Sequence, residues 1–408
     1  MSYPADLVAI LAEDGADHAF TVNWAEYFPG VGDTDARLNA VLAKDADAAA
    51  TVARSFVDRG DGEGRGSRRA HRLAAAWRDR ENDAIAVLTA ALLHDHTPWD
   101  LSHLLFAIAC WLPGATRPDP ALADRLLPYA LSDDASTAQC AQLSLGRLGD
   151  QRVLTAIATP HADALIALAA HTRRPEHQRL VLRKLAGLGF DAFLATLTPD
   201  EAHTLLPELK NLLRRDPTPA LVRRFADWDI HDAELPALLE EAARSTDDEL
   251  VTAAVVTAAR LGTDPAPALR VLERQLTADS PARYGLAEAT RLGPAAAPLL
   301  PMIEPYHQAG YAWSRLHAAQ ADLAITQDPT RAVPTLVDLA TRELQYPAGV
   351  EAVRTLARLG STPDALRPQV EHWATSLRRV IDLDEFFNPV MEPRCADDLL
   401  REAALLML

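Results

Sequence analysis

Lysine is almost missing from this chain. Only Lys44, Lys184 and Lys210 occur, against 37 arginines among the 40 basic residues. Acidic residues number 57, so the formal net charge is −17. A chain so acidic repels a phosphate backbone, whose affinity comes mainly from basic side chains neutralising phosphates, and only a local basic site could bind nucleic acid. Arginine-only basicity beside abundant alanine matches the codon usage of a GC-rich genome, so arginine abundance alone is no sign of phosphate binding. Cysteine is equally sparse. Cys110, Cys140 and Cys395 are odd in number and far apart, with no C-x-x-C, which argues against a disulfide framework and a cysteine-based zinc site and fits a reducing compartment. Long apolar runs are lacking: "LLFAIACWLP" (104–113) is too short to span a bilayer. The start "MSYPADLVAILAEDG" has no basic region ahead of its apolar residues, so no secretory leader is expected. These absences predict a cytoplasmic protein with no membrane contact.

Glycine is scarce (18) while proline is plentiful (28), and both recur at set places. Gly114, Gly149, Gly189, Gly262, Gly293 and Gly360 stand 35, 40, 73, 31 and 67 residues apart. The two long gaps each hold about two periods, and "FADWDIHD" (225–232) and "AITQDPT" (324–330) fill the vacant turns. A period of roughly 31–40 residues marks stacked helix pairs. Asp119-Pro120, Thr198-Pro199, Asp216-Pro217, Asp264-Pro265, Asp328-Pro329 and Thr362-Pro363 each precede a helical stretch. An Asp or Thr oxygen can accept an orphan N–H there, and proline at the first helical position sacrifices no bond. Acidic turns at Asp133-Asp134, Asp247-Asp248 and Asp279 open second helices that end at a glycine 14–16 residues on. In "LVTAAVVTAARLG", Leu250, Ala253, Ala254, Ala258 and Leu261 share one helical side. The unit therefore reads Asp/Thr-Pro, first helix, acidic turn, second helix, Arg-Leu-Gly. The Arg suits the negative end of the helix dipole, and the Gly suits a left-handed stop. No alternating strand pattern occurs, so the expected fold class is all-α.

This arrangement resembles the HEAT-repeat family. "RLGPAAAPLLPMI" (291–303) and "DPTRAVPTLVDLATRE" (328–343) correspond to first helices, and "DDELVTAAVVTAARLG" (247–262) and "AGVEAVRTLARLG" (348–360) to second helices. The likeness covers roughly residues 80–380. It implies an α-solenoid, a right-handed superhelix of antiparallel helix pairs with one row of helices lining a concave face. One departure is that Thr252 or Ala253 stands where such repeats often carry an early Arg. The expected organisation is a divergent N-terminal cap (1–70), the repeat array (71–380) and a C-terminal cap (381–408). The first cap holds the aromatics Phe20, Trp24, Tyr27 and Phe28 and the Gly-rich loop "DRGDGEGRGSRR" (58–69), which lacks the Gly-Lys-Ser/Thr ending of a phosphate loop. In the last, "IDLDEFFNPVMEPRC" (381–395) fails as a calcium loop, with Phe387 where Gly is needed and Pro393 where Glu is needed. The apolar "LLREAALLML" (399–408) is expected to fold back on the last helix pair.

Three places carry candidate chemistry. "AALLHDHTPWD" (90–100) resembles the His-Asp metal motif of HD phosphohydrolases, which would make His94, Asp95 and His96 metal ligands, with His71 upstream. The repeat accounts for the same stretch as a helix end at Leu93, a turn and a second helix to Leu112. "DWDIHD" (227–232) faintly resembles the Trp-Asp element of HEAT-like alkylpurine DNA glycosylases, which would make Asp229 or Asp232 the assisting carboxylate and Trp228 the stacking aromatic. Asp there also serves as a helix cap. The third place is a basic island over 171–225, containing Arg173, Arg174, Arg179, Arg183, Lys184, Lys210, Arg214, Arg215, Arg223 and Arg224. Arginine pairs one repeat apart can project from one face and meet an acidic protein. Solvated helix ends and internal salt bridges are the plainer account of the same residues. The functional expectation is a non-enzymatic scaffold that binds a protein partner along its concave face, using no cofactor. Partner contacts are expected at Arg173, Arg174, Arg179, Arg183, Arg214, Arg215, Arg223 and Arg224.

Overall fold

The computed structural model describes residues 78–79, 81–93, 98–116, 118–184, 189–277, 283–360, 362–377, 379–381 and 396–408. The N-terminal cap with its Gly-rich loop and the acidic stretch 382–395 lie outside these residues. Every regular element among the described residues is helical. They fall into two compact units, one running to His171 with Ser376–Val380 added, the other holding the rest.

The first unit contains α1 (Glu81–Ala91), α2 (Pro98–Trp111), α3 (Leu122–Ala130), α4 (Ala135–Arg147), α5 (Arg152–Thr155) and nearly all of α6 (Ala162–Thr172). Helix α1 pairs with α2, α3 pairs with α4, and α2 lies beside α4. Leu105, Ile108, Ala109, Ala141 and Leu145 are fully buried at these contacts. The acidic turn does what its residues predict: Asp134 caps α4 by accepting the Thr137 N–H at 2.8 Å. The segment Ser376–Val380 returns to α1, where Arg78 N–H donates to Leu377 O. The buried Arg379 pairs with Glu81 at 2.5 Å and lies 5.0 Å above the Trp111 ring.

The second unit begins with α7 (Pro175–Lys184), α8 (Gly189–Thr196), α9 (Pro199–Thr204), α10 (Leu206–Arg215), α11 (Pro219–Asp227) and α12 (Leu235–Ala242). It continues with α13 (Asp248–Arg260), α14 (Ala266–Thr277), α15 (Arg283–Leu292), α16 (Leu300–Ile303), α17 (Ala312–Thr326) and α18 (Ala332–Arg342). Helices α19 (Pro347–Arg358), α20 (Arg367–Thr375) and α21 (Ala396–Met407) complete it. From α11 onward each second helix packs on the next, in the order α11, α13, α15, α17, α19, α21. The fully buried Ala253, Ala254, Ala289, Ala318, Ala321 and Ala352 let these helices approach closely. The C-terminal helix folds onto α19 and α20, burying Leu399, Leu400, Ala403 and Ala404.

Left-handed residues punctuate this row. Asp229, Gly262, Gly293, Gln327 and Gly360 have φ of 53°, 102°, 63°, 56° and 65° and stand 33, 31, 34 and 33 residues apart. Asp229 and Gln327 lie in the two segments that the glycine spacing leaves vacant. At Asp229 the stop is a full double-bonded cap, with Asp229 N–H donating to Ala226 O and Ile230 N–H to Phe225 O; Gly262 and Thr263 repeat the pattern on Ala259 and Ala258. Asp tolerates this conformation better than other side chains because its short polar group bonds locally.

Several expectations need correction. Gly189 opens α8 instead of ending a helix, and Gly114 closes a single 3-10 turn, Leu112–Gly114. Helix α11 starts at Pro219 with Thr218 as its cap, two residues beyond Asp216-Pro217. Residues 291–303 are not one α-helix. A 3-10 stretch (Gly293–Leu299) follows α15, then come α16 and a second 3-10 stretch (Glu304–Gln308). Pro294, Pro298, Pro301 and Pro305 remove an N–H donor every three or four residues, so a continuous i to i−4 ladder cannot form.

Candidate functional site

The basic island is largely matched within the chain. Arg173 pairs with Glu201 at 2.7 Å and is itself a left-handed residue joining α6 to α7. Arg179 pairs with Glu208 at 2.9 Å, Lys210 with Asp232 at 3.0 Å, and Arg214 with Glu234. Arg174, Arg183, Lys184 and Arg215 are exposed and reach no carboxylate among the described residues. Arg223 and Arg224 take a different course, into a network that no sequence spacing foretold.

That network joins three consecutive second helices. Arg223, on α11, pairs with Glu249 of α13 at 2.9 Å and with Glu288 of α15 at 2.5 Å. Asp227, at the end of α11, accepts from Arg260 of α13 at 2.7 Å and from Arg291 of α15 at 3.2 Å; Arg224 stands 3.7 Å away. Arg260 and Arg291 are the arginines of two Arg-Leu-Gly stops. Their guanidiniums reach back to an earlier second helix, as does that of Arg147, which donates to Ala109 O on α2. The contacts between α11 and α15 pass over α13.

Glu249 and Glu288 share Arg223, while Asp227 faces Arg224, Arg260 and Arg291, and Arg291 also stands 3.9 Å from Glu288. These three arginine side chains keep 35%, 26% and 35% of their surface open to solvent. Burial opposes ionisation of Asp227, but the Arg260 hydrogen bond and the Arg291 and Arg260 charges outweigh it and hold the carboxyl below its usual range. Burial also lowers the Arg224 guanidinium, Asp227 opposes that shift, and the neighbouring Arg291 charge adds to it. Arg224, Arg260 and Arg291 thus meet around Asp227, with Glu288 beside Arg291 and the Asp191 charge acting on Arg224, and all three side chains stay partly open to solvent.

"DWDIHD" does not gather into the expected constellation. Trp228 is buried at 4% exposure, edge-on to Phe225 at 6.3 Å, with its rings in the core. Asp232 is held below the usual carboxylate range by the Lys210 hydrogen bond and by the Glu234 N–H that it caps. Asp229 is the exposed left-handed stop, 3.0 Å from His231. A groove of about 320 Å³ does lie beside the motif, but its walls are Ile230, Leu235, Leu239, Ala258 and Leu261, with His231 and Asp232 contributing polar lining. His94, Asp95 and His96 lie outside the described residues, and among the described residues no three potential metal ligands gather. Burial pushes the Cys110 thiol up to about 12 and the Cys140 thiol to about 11, so neither is a thiolate nucleophile near neutral pH.

One polar cluster was invisible in the sequence. His307 contacts Asp322 at 2.8 Å through Nε2 and Thr335 at 3.0 Å through Nδ1, while Arg331 reaches the buried Asp322 at 3.3 Å. These four residues tie the second 3-10 stretch, α17 and α18 together. No protein-family model matches the chain, and no curated protein matches it.

Proposed function

We propose that this chain is a non-enzymatic scaffold of HEAT-type helical repeats that binds an acidic segment of a protein partner. One observation carries the reading: three partly exposed guanidiniums from three successive second helices, Arg224, Arg260 and Arg291, gather around Asp227. Carboxylates of a partner can reach the solvent-open parts of these guanidiniums, and Arg favours such contacts because its planar fork binds them bidentately. The regular helix stops at 229, 262, 293, 327 and 360 support a repeat scaffold, in which stacked units offer an extended surface. The proposed patch keeps Arg224 of the arginines singled out by sequence and adds Arg260 and Arg291; Arg173, Arg179, Arg214 and Arg223 pair with internal carboxylates, while Arg174, Arg183 and Arg215 are exposed and reach none among the described residues.

A fluorescently labelled nonaglutamate peptide tests the chemistry. Saturable binding is expected, weakening steeply with salt because the patch is solvent-facing. The Arg224→Ala/Arg260→Ala/Arg291→Ala variant is expected to lose it. Equal binding by that variant, with its circular dichroism unchanged, removes the patch.

A further inference from the structure

Asp227 breaks the pattern of the row in which it stands. Two places before a left-handed stop the chain carries Arg147 ahead of Gly149, Arg260 ahead of Gly262, Arg291 ahead of Gly293 and Arg358 ahead of Gly360. Ahead of Gln327 that place holds the neutral Ile325. Ahead of Asp229 it holds an acid, Asp227. Asp227 is also the last residue of α11, at the negative end of that helix. A cation is favoured there and a carboxylate is not. Repeat position and helix electrostatics both ask for an arginine, and the chain supplies the opposite charge. A local rule broken in this way is a mark of function.

What Asp227 gains is contact with the proposed patch. Its Oδ1 accepts from Arg260 Nη1 at 2.7 Å and its Oδ2 from Arg291 Nη1 at 3.2 Å, with Arg224 Nη1 at 3.7 Å. Other acids touch this group less closely. Glu288 lies 3.9 Å from Arg291 and is itself held by Arg223 at 2.5 Å, and Asp191 acts on Arg224 through its charge. Among the described residues, Asp227 is the carboxylate that hydrogen-bonds both Arg260 and Arg291. Its side chain keeps 25% of its surface open to solvent, so a ligand can reach the contact.

We infer that Asp227 is an autoinhibitory contact: an internal carboxylate that holds the arginines a partner's acidic segment must take. The inference rests on the arginine-patch reading above and adds how that patch is restrained. A tethered carboxylate competes at high effective concentration. An isolated acid of a partner meets that competition and the repulsion of a like charge beside it. A run of acids in one chain has the same tethering advantage and displaces Asp227. The patch therefore selects polyacidic segments over single carboxylates. An acid that only aligned the arginines would act with the opposite sign. Removing an aligning residue scatters the guanidiniums and weakens binding, whereas removing a competitor frees them and strengthens it.

The test is fluorescence anisotropy at low salt with labelled nonaglutamate, the full chain, and a Gly-Ser nonapeptide carrying one Glu as control. Asp227→Asn keeps the side chain's size and removes its charge, and Asp227→Ser is a second, smaller replacement. Each variant is expected to melt at a lower temperature, because an ion-pair partner is lost, and yet to bind nonaglutamate about tenfold tighter. The single-Glu control is expected not to bind the unsubstituted chain. Equal or weaker nonaglutamate binding by both variants, with circular dichroism unchanged, overturns the inference. In that case the patch itself stands if the unsubstituted chain binds and the Arg224→Ala/Arg260→Ala/Arg291→Ala variant does not. Equal binding of the single-Glu control also overturns the inference. Absence of nonaglutamate binding by the unsubstituted chain and by both variants overturns patch and inference together.

Discussion

At the scale of single residues, backbone geometry separates positions that composition treats alike. A Cβ built on Gly349 would stand 2.1 Å from Glu343 O and 2.7 Å from Leu344 Cα, both backbone atoms that cannot swing aside. Gly349→Ala is expected to cost about 2–3 kcal/mol, the usual penalty of overpacking, read as a shifted urea midpoint at constant slope. Asp229 is the opposite case. Its left-handed stop suits glycine at least as well, so Asp229→Gly is expected to change stability by less than about 0.5 kcal/mol, whereas Asp229→Val should be clearly destabilising. Thermal melts of the two variants check this contrast. A melt of Asp229→Val that matches the unsubstituted chain contradicts it. The left-handed backbone gives a structural reason for a short polar residue at 229.

At the scale of elements, helix boundaries were the most legible part of the fold. Thr198 forms a capping box with Glu201, Asp247 accepts from Glu249 and Leu250, and Asp264 accepts from Ala266, as those residue types before a helix imply. Asp247→Ala is expected to cost about 1 kcal/mol, measurable by chemical denaturation. Legibility failed where a local signal has two meanings. Proline in "RLGPAAAPLLP" marks a helix start at Pro294, yet four prolines in succession turn the following residues into 3-10 structure. The Arg of Arg-Leu-Gly looks like a dipole partner, but Arg260 and Arg291 bridge to Asp227, which lies 33 and 64 residues earlier. Such a reach depends on how the helices pack in three dimensions, and no linear spacing encodes it. The His307–Asp322 contact was missed for the same reason.

At the scale of the molecule, ion pairs link distant parts of the chain. Arg379 and Glu81 are both largely buried, so Arg379→Ala removes one buried ion-pair partner of Glu81 and is expected to cost about 3 kcal/mol. Limited proteolysis of the variant, with faster cleavage near residue 81 as the expected result, reports that loss. Asp227 sets a pH dependence of known sign. Its folded carboxyl titrates lower than an unfolded Asp at about 3.9, so its contribution is present above that pH and fades as pH falls through the folded value. Asp227→Asn should therefore be less stable than the unsubstituted chain at pH 6, with the gap closing below about pH 3.9; a gap constant down to pH 2.5 would contradict the assignment. The central claim, an arginine trio that receives a partner's carboxylates, is tested most directly by affinity capture from the native host. The unsubstituted chain and the Arg224→Ala/Arg260→Ala/Arg291→Ala variant would be compared by quantitative mass spectrometry. The account predicts a captured protein with an acidic segment that is depleted at least tenfold on the variant. Recovery of the same proteins in equal amounts on both would contradict it.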